Sequence, residues 1–170
     1  MTMTMVRQIK YFDQARDLTW IIESNRIEGI RDPQEDRRSL NAWRWFIRRP
    51  LTRKTILECH RRILCTLDPD IAGIFRTCNI RVGTWFAPNW TIVPNMMQDW
   101  LTIHGEAAAE ADIRAAHIAF ERIHPFTDGN GRTGRMIMHW QRVHMGLEPL
   151  LIRFDEREKY YQWFAGLGGP

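Results

Sequence analysis

The chain contains 170 residues with a mass of 20.2 kDa, a length that fits one domain and allows a buried core. Hydrophobic residues make up 44% of the chain and charged residues 26%, which excludes disordered, collagen-like and low-complexity proteins. A net charge of +4 allows anionic partners without requiring nucleic acid.

The three cysteines, Cys59, Cys65 and Cys78, form no Cys-x-x-Cys pair, which excludes a zinc ribbon. Because an odd number cannot be fully paired, they predict reduced thiols in a cytoplasmic protein. Charged residues near the amino terminus interrupt any apolar core of a signal peptide. The longest uncharged stretch, residues 82–98, contains prolines and asparagines, whereas a membrane span needs about 20 mostly apolar residues. The sequence therefore predicts no membrane segment.

Helical spacing of apolar residues predicts three helices in the first part of the chain. The first runs from about Val6 to Ile27, with Gly29 as a left-handed cap. The second is stopped by Pro50, and the third begins after Thr52 and ends near residues 68–69. The apolar face of the third helix consists of Ile56, Leu57, His60, Ile63, Leu64 and Leu67.

β-prone residues replace the helical spacing between Gly73 and Pro94. Two runs, residues 80–85 and 90–93, flank the turn-forming segment 87–89, which predicts a β-hairpin. Helical spacing then returns in residues 97–101.

The rest of the chain is predicted to be helical. One helix is closed by Pro125, and the next runs from about Asn130 to Met145, where Gly146 ends it. Asp155 is the predicted cap of a last helix. The whole pattern predicts a mainly α domain with about seven helices and one hairpin.

The loop between two of these helices contains the sequence His124-Pro-Phe-Thr-Asp-Gly-Asn-Gly-Arg-Thr-Gly-Arg135. Unpaired N–H groups and the positive end of the dipole favour anions where a helix begins. Gly129 and Gly131 allow the backbone N–H groups to face one concavity. Arg132 and Arg135 are three residues apart, so both guanidinium groups can bind phosphate oxygens on one side. The segment predicts a polyphosphate site.

Two further side chains of this segment suggest chemistry. The Asp128 carboxylate lies beside a predicted anion site, which is unfavourable unless a cation such as Mg²⁺ lies between them. His124, with an ordinary pKa of about 6.5, is the candidate base for an incoming hydroxyl. Taken singly, each residue fits a cap, a turn or a surface charge, but their order within twelve residues favours a nucleotide site.

At every fixed position this segment resembles the signature of the Fic (Fido) family, His-x-Phe-x-Asp/Glu-Gly-Asn-Gly-Arg-x-x-Arg. The resemblance implies the Fic helical fold with a β-hairpin flap near the active site, and transfer of AMP from ATP to a Ser, Thr or Tyr hydroxyl of a target protein. It implies that His124 is the general base, Phe126 anchors the loop and Asp128 holds Mg²⁺ or Mn²⁺. The implied nucleotide-binding residues are Asp128, Gly129, Asn130, Gly131, Arg132, Thr133, Gly134 and Arg135. Doc-type phosphotransferases carry Lys at the position of Gly131, so this glycine favours nucleotidyl transfer.

An earlier motif, Ser24-Asn-Arg-Ile-Glu28-Gly29, resembles the Fic inhibitory motif Ser/Thr-x-x-x-Glu-Gly/Asn. Its place in the chain resembles the class with an amino-terminal inhibitory helix. The resemblance divides the chain into an inhibitory helix, residues 1–30, and a Fic core, residues 31–170. It implies that Glu28 pairs with Arg135 and blocks the γ-phosphate position. A helix end with a glycine cap is the alternative interpretation of the motif alone.

The segments from Gly73 to Arg76 and from Ile80 to Pro88 resemble the run into the Fic flap, which holds a target segment by strand addition. The flap residues expected to touch the nucleotide are Val82, Gly83, Thr84 and Trp85. Tyr160, in a Lys-Tyr-Tyr run, resembles a tyrosine that lines the nucleotide site in relatives. A core or surface aromatic is the alternative for Tyr160.

Other functions remain open at this point. A hydrolase that removes AMP from modified proteins would use the same site. Arg48-Arg49, Arg61-Arg62 and a pI near 9.3 suggest a nucleic-acid module, which the interleaved acidic residues disfavour. The expected partners are ATP and an unidentified target protein, with the chain itself as one candidate. Because Fic relatives often self-associate, a homo-oligomer is also open.

Overall fold

A computed structural model describes residues 12–165 of the chain. The described part contains seven α-helices: α1 (Gln14–Ile27), α2 (Pro33–Phe46), α3 (Arg53–Leu64), α4 (Val93–His104), α5 (Glu110–Ile123), α6 (Asn130–His144) and α7 (Arg157–Tyr161). Strands β1 (Arg81–Val82) and β2 (Trp85–Phe86) pair antiparallel, with Val82 opposite Trp85. The prediction of a mainly α domain with one hairpin is confirmed.

Side-chain caps set the start of the first three helices. Asp13 accepts the N–H of Arg16 at 3.0 Å, so α1 begins at Gln14. The predicted start at Val6 is therefore wrong for residues 12 and 13, and residues 6–11 lie outside the described part of the chain. Asp32 caps α2 and Thr52 caps α3, each through its side-chain oxygen.

One helix end matches its sequence-based boundary and another corrects it. Gly29 has φ +76°, which matches the predicted left-handed cap after α1. The third helix ends at Leu64 rather than near residue 68, and residues 65–67 form a turn in which the Leu67 N–H donates to the Leu64 carbonyl at 2.9 Å.

The hairpin turn is formed by residues 83 and 84, so the predicted turn at 87–89 is wrong. Gly83 has φ +56°, a conformation that suits glycine at a tight turn. The second predicted strand, residues 90–93, is also wrong. Asn89 accepts the N–H of Thr91 at 3.0 Å and starts a 3₁₀ turn (Trp90–Ile92) that leads into α4. Pro94 suits the first turn of a helix, where its missing N–H costs nothing.

The carboxyl-terminal segment folds differently from its prediction. Asp155 lies inside a 3₁₀ turn (Phe154–Glu156) and does not cap α7. A second 3₁₀ turn (Gln162–Phe164) follows the short helix. Its Phe164 is buried with Tyr160, so this segment closes a smaller apolar cluster with Ile27, Ile113, Met138 and Ile152.

Helix α6 lies at the centre of the fold and packs against α1, α3 and α5. The main core around it includes Trp43, Phe46, Ile56, Ile63, Phe120 and Phe126. The Trp100 indole N–H donates to the Ala116 carbonyl at 2.9 Å and joins α4 to α5. Arginines at the start of α6 are buried in this packing and need polar partners. The division into segments 1–30 and 31–170 stays a prediction.

Within residues 12–165, every helix is too short or too polar to cross a membrane. Cys59, Cys65 and Cys78 are unpaired, as expected.

Candidate active site

His124 ends α5 and opens the loop to α6. It is the only described residue other than glycine with a positive φ, at +47°. The half-buried imidazole places Nδ1 3.2 Å from the Glu121 carbonyl oxygen. Because a carbonyl only accepts, this contact assigns the proton to Nδ1 and leaves a lone pair on Nε2. Burial and the nearby Arg76 charge lower the pKa of His124, so the imidazole is neutral at pH 7 and can accept a proton.

Asn130 holds the loop closed through its side chain. Its Oδ1 accepts the N–H of Phe126 at 2.9 Å, and its Nδ2 donates to the Phe126 carbonyl at 2.9 Å. The Phe126 ring is fully buried and stacks on His60 with centroids 3.7 Å apart. Phe126 thus lies where an anchor was expected. The Asn130 side chain is committed to the loop, so only its backbone N–H is available to an anion.

Asp128 presents its carboxylate at the mouth of the site, where the side chain is 67% exposed. One oxygen accepts the N–H of Gly129 at 2.6 Å, and the other lies 3.6 Å from Nη2 of Arg132. Within residues 12–165, no three His, Cys, Asp or Glu side chains group into a metal site. A lone exposed carboxylate beside a phosphate site still fits Mg²⁺, which takes one or two carboxylates and completes its shell with water and phosphate.

The first turn of α6 forms an anion-binding concavity. Gly129 has φ +74° and starts the helix, as the sequence predicted. Arg132 is 3% exposed, and its Nε and Nη1 have no hydrogen-bond partner among the described residues. The buried Thr133 hydroxyl also has no partner there. Buried N–H groups are normally satisfied, so the free Arg132 donors point to a bound anion.

Glu28 lies in this concavity although it belongs to the end of α1. Its Oε1 accepts from Nη2 of Arg135 at 2.6 Å. A Cβ built on Gly131 would lie 2.2 Å from the same Oε1, so the carboxylate rests on the glycine. Arg135 also donates from Nε to the Ser24 hydroxyl at 2.8 Å and from Nη2 to the Ser24 carbonyl at 3.0 Å. Helix α1 is therefore joined to the start of α6 through one buried guanidinium.

Tyr160 supports Arg135 from the core. The tyrosine hydroxyl accepts from Nη1 of Arg135 at 3.4 Å and lies 2.8 Å from Nε2 of His117. Burial and the Arg135 charge lower the pKa of His117 to about 3, so it is a neutral acceptor for the hydroxyl proton. Burial raises the pKa of Tyr160, which keeps the hydroxyl protonated. The predicted contact of Tyr160 with the nucleotide stays a prediction.

The flap brings one of its four predicted residues to the loop between α5 and α6. The Trp85 ring lies edge-on to the His124 ring with centroids 6.4 Å apart. Gly83 and Thr84 are exposed at the flap tip, and Val82 is half-buried. The outward side chain of Phe86 is 75% exposed. The structure therefore joins Trp85 to the site and leaves the tip open to solvent.

His60 is a site residue that the sequence indicated only as part of an apolar helix face. Its Nδ1 accepts the Gly73 N–H at 2.9 Å, and its Nε2 lies 2.9 Å from the Asp128 carbonyl oxygen, to which it donates. Burial lowers the pKa of His60 to about 4, which keeps Nδ1 free to accept. The signal available in the sequence was a histidine on the otherwise apolar face of α3.

Glu121 also went unnoticed in the sequence. Its Oε1 is buried without a hydrogen-bond partner among the described residues, and a Cβ on Gly134 would lie 2.3 Å from it. Burial raises the pKa of Glu121 to about 8. The carboxyl group is therefore mostly neutral at pH 7, and Glu28 is the anion nearest Arg135.

The residues that suggested nucleic-acid binding have structural partners. Arg61 and Arg62 both pair with Glu58, at 2.6 and 2.8 Å. The guanidinium groups of Arg49 and Arg62 both lie over the Trp45 ring, 4.2 and 4.5 Å from its centroid. These contacts favour a structural role for Arg49, Arg61 and Arg62.

Comparisons with known proteins identify relatives of this arrangement. A family model described as Fic/DOC family matches residues 50–141, just over half of the chain. "Protein adenylyltransferase Fic" of Aedes aegypti is 36% identical over 119 residues, which cover 66% of this chain and 24% of that protein. The protein of the same name from Nematostella vectensis is 32% identical over 168 residues, covering 96% of this chain and 39% of that protein.

The fold also matches solved structures. A structure of part of Fic-1 from C. elegans superposes with a TM-score of 0.73 at 21% identity, covering 95% of this chain and 58% of that one. A Fic domain containing signaling protein from Bacteroides thetaiotaomicron superposes with a TM-score of 0.71. The chain spans 24% and 39% of the lengths of the two curated relatives named above.

Proposed function

Because the chain belongs to the Fic/DOC family, we propose that it transfers AMP from ATP to a Ser, Thr or Tyr hydroxyl of a protein and that Glu28 restrains this activity. One observation carries the proposal. The Glu28 carboxylate pairs with Arg135 at 2.6 Å and rests on Gly131, inside the concavity whose free donors suit phosphate. A protein anion held there competes with a phosphate group for the same arginine.

The acceptor hydroxyl loses its proton to Nε2 of His124. Its oxygen then bonds to the α-phosphorus while the bond from that phosphorus to the bridging oxygen of pyrophosphate breaks. Pyrophosphate leaves, and the proton stays on the imidazole until solvent takes it. The lowered pKa of His124 supports this role because the imidazole is unprotonated at neutral pH.

The phosphates bind to the first turn of α6. The free Nε and Nη1 of Arg132 and the backbone N–H groups after Gly129 are the donors. Asp128 would hold Mg²⁺ or Mn²⁺, which supplies positive charge between the carboxylate and the phosphates. Arg135 meets the γ-phosphate once Glu28 has moved away. Gly131 and Thr133 belong to the same turn and complete the proposed nucleotide site, whereas Gly134, also expected there, packs against Glu121, Phe120 and His117.

The flap presents the target. A segment of the target pairs with the flap by strand addition, which places its hydroxyl near Trp85 and His124. The target is unidentified, and the chain itself and further copies of it are candidates. We expect a cytoplasmic protein because its three cysteines are unpaired.

A second candidate function is removal of AMP from modified proteins. It is favoured by the side chain of Glu28, which is 35% exposed and lies at the anion site, where a carboxylate can orient an attacking water. The two functions differ in what Glu28 does, since it suppresses transfer but is required for hydrolysis.

The deciding experiment incubates wild type, Glu28→Gly and His124→Ala with α-labelled ATP and Mg²⁺ and measures label on the chain and on lysate proteins. His144→Ala is the matched control because His144 lies at the opposite end of α6 and contacts Trp140. Transfer predicts strong labelling by Glu28→Gly, weak labelling by wild type and none by His124→Ala. If none of them labels protein, and wild type but not Glu28→Gly strips AMP from modified proteins, hydrolysis replaces transfer as the function.

A further inference from the structure

Arg76 is a buried cation whose hydrogen-bond partners within residues 12–165 are backbone carbonyls. It lies between α3 and β1 and is 3% exposed. Its guanidinium donates to the carbonyls of His124 at 2.8 Å, Cys78 at 3.0 Å, Pro88 at 2.5 Å and Ile123 at 3.4 Å. Its backbone N–H donates to the Pro125 carbonyl at 3.0 Å. Burying a guanidinium without a carboxylate is costly, so its position requires these carbonyls.

One side of the Arg76 fork binds the end of α5. The last carbonyls of a helix lack intrahelical partners and carry the negative end of its dipole, which a cation stabilises. Ile123 and His124 are the residues at this end, and His124 has the left-handed conformation there. Arg76 therefore fixes the backbone from which the catalytic imidazole projects.

The other side of the fork binds both ends of the flap. Cys78 precedes β1 and Pro88 follows β2, and the Ala87 N–H donates to the Ile80 carbonyl at 3.1 Å to close the hairpin base. Trp85, in β2, provides a second contact between the flap and His124, through the two side-chain rings. A single planar group thus joins the element that holds a target to the residue that would deprotonate it.

We propose that Arg76 is a positioning residue that keeps the flap in register with Nε2 of His124, so that an acceptor hydroxyl on the flap meets the base. This inference rests on the proposed function, since it concerns transfer to a protein hydroxyl. Lysine cannot replace the arginine, because an ammonium group is a compact charge and lacks the planar fork that spans several carbonyls.

The test uses Glu28→Gly as the parent and compares Arg76→Lys with Arg49→Lys. Arg49 is a matched control, since it donates to the Trp45 carbonyl at the end of α2. Each variant receives α-labelled ATP, and AMP on the chain and on lysate proteins is compared with AMP released to water. Attack of water on the α-phosphorus, which releases AMP, requires the base but does not require the flap. We expect Arg76→Lys to lower the ratio of protein-bound to released AMP by about tenfold or more. ATP affinity should stay within about twofold, and Arg49→Lys should leave both values unchanged.

Hydrogen exchange of the flap amides, residues 80–87, provides a readout that does not depend on activity. We expect faster exchange in Arg76→Lys than in Arg49→Lys. Unchanged flap exchange, or an equal loss of protein-bound and released AMP, would overturn the proposal. If the Glu28→Gly parent itself neither labels protein nor releases AMP, the proposed function fails while the exchange data still decide whether Arg76 holds the flap.

Arg76→Gln covers the case in which the lysine variant does not fold. The positive charge of Arg76 lowers the pKa of His124, so replacing the arginine by neutral glutamine should raise that pKa. The acid limb of the rate profile should therefore move to higher pH in Arg76→Gln, together with the same loss in the AMP ratio. An unchanged ratio in a folded Arg76→Gln would overturn the proposal.

Discussion

Replacing Glu28 by glycine should activate the chain by an amount that its contact with Arg135 allows us to estimate. The pair is a charge-assisted hydrogen bond of 2.6 Å, and such bonds contribute about 1.5–3 kcal/mol. Because the Glu28 side chain is 35% exposed, we take the lower part of this range, about 1.5–2 kcal/mol. At about 1.4 kcal/mol for each factor of ten, its loss should raise the fraction of molecules with Arg135 free for phosphate by about 10- to 30-fold.

Glu28→Gln is the matched control for this change. The amide keeps the size of the side chain and one acceptor oxygen but loses the charge, and a neutral hydrogen bond contributes about 1 kcal/mol. Protein labelling with α-labelled ATP should therefore rise in the order wild type, Glu28→Gln, Glu28→Gly. The glycine variant also removes the carboxylate that lies over Gly131, so its gain should exceed the estimate from the ion pair alone.

Thermal unfolding provides a second measurement on the same variants. Arg135 keeps its bonds to Ser24 and Tyr160, but it loses its anionic partner. A loss of about 1.5–2 kcal/mol lowers the Tm of a chain of this size by about 3–8 °C. ATP should raise the Tm of Glu28→Gly more than the Tm of wild type, because the γ-phosphate supplies the anion that the variant lacks beside Arg135. Equal labelling and an equal ATP-induced shift in all three proteins would refute the reasoning.

Three further predictions concern the proposed base His124, the arginine Arg135 that is proposed to bind the γ-phosphate, and the buried histidine His60. His124→Ala should lower transfer by about 10²- to 10⁴-fold and keep ATP affinity within about twofold, and retained transfer would remove His124 as the base. Arg135→Ala in the Glu28→Gly background should lose the activation, and full labelling would exclude Arg135 from phosphate binding. His60 is neutral in both states above pH 6.5. Below that pH the unfolded chain takes up a proton at this histidine, whereas the folded His60, whose pKa is lowered to about 4, does not. The free energy of unfolding therefore decreases as the pH decreases. Protonation of this histidine in the unfolded chain lowers the free energy of unfolding by about 2 kcal/mol between pH 7 and pH 5. The Tm of His60→Gln should therefore depend less on pH over this range than the Tm of wild type. The same Tm profile in both proteins would contradict this prediction.

The sequence predicted the loop and the start of α6 because their determinants are local. A glycine with positive φ, a helix start and two arginines three residues apart are all encoded within residues 129–135. The resemblance to the Fic family rested on the same segment, and the match of the family model confirms it. The contact between Glu28 and Arg135 joins residues 107 positions apart, and only the family's inhibitory motif, not spacing, suggested it.

The hairpin shows where local signals compete. Trp90, Ile92 and Val93 are β-prone, and their pattern predicted a strand. The cap from Asn89 and the position of Pro94 favour a helix start instead, and these backbone signals determine the structure. The misplaced turn followed from the same choice, because a strand at 90–93 needed a turn just before it.

The side chains that hold the loop between α5 and α6 escaped prediction because their partners are backbone groups far along the chain. His60 binds the carbonyl of Asp128, 68 residues away, and Arg76 binds the carbonyl of His124, 48 residues away. Backbone carbonyls leave no mark on a sequence, so no pairing of residue types signals such contacts. Anchoring through carbonyls also has a chemical benefit. The backbone carbonyl and Nδ1 of His124 hold this residue in place, so its Nε2 needs no protein partner and is available for the proposed proton transfer.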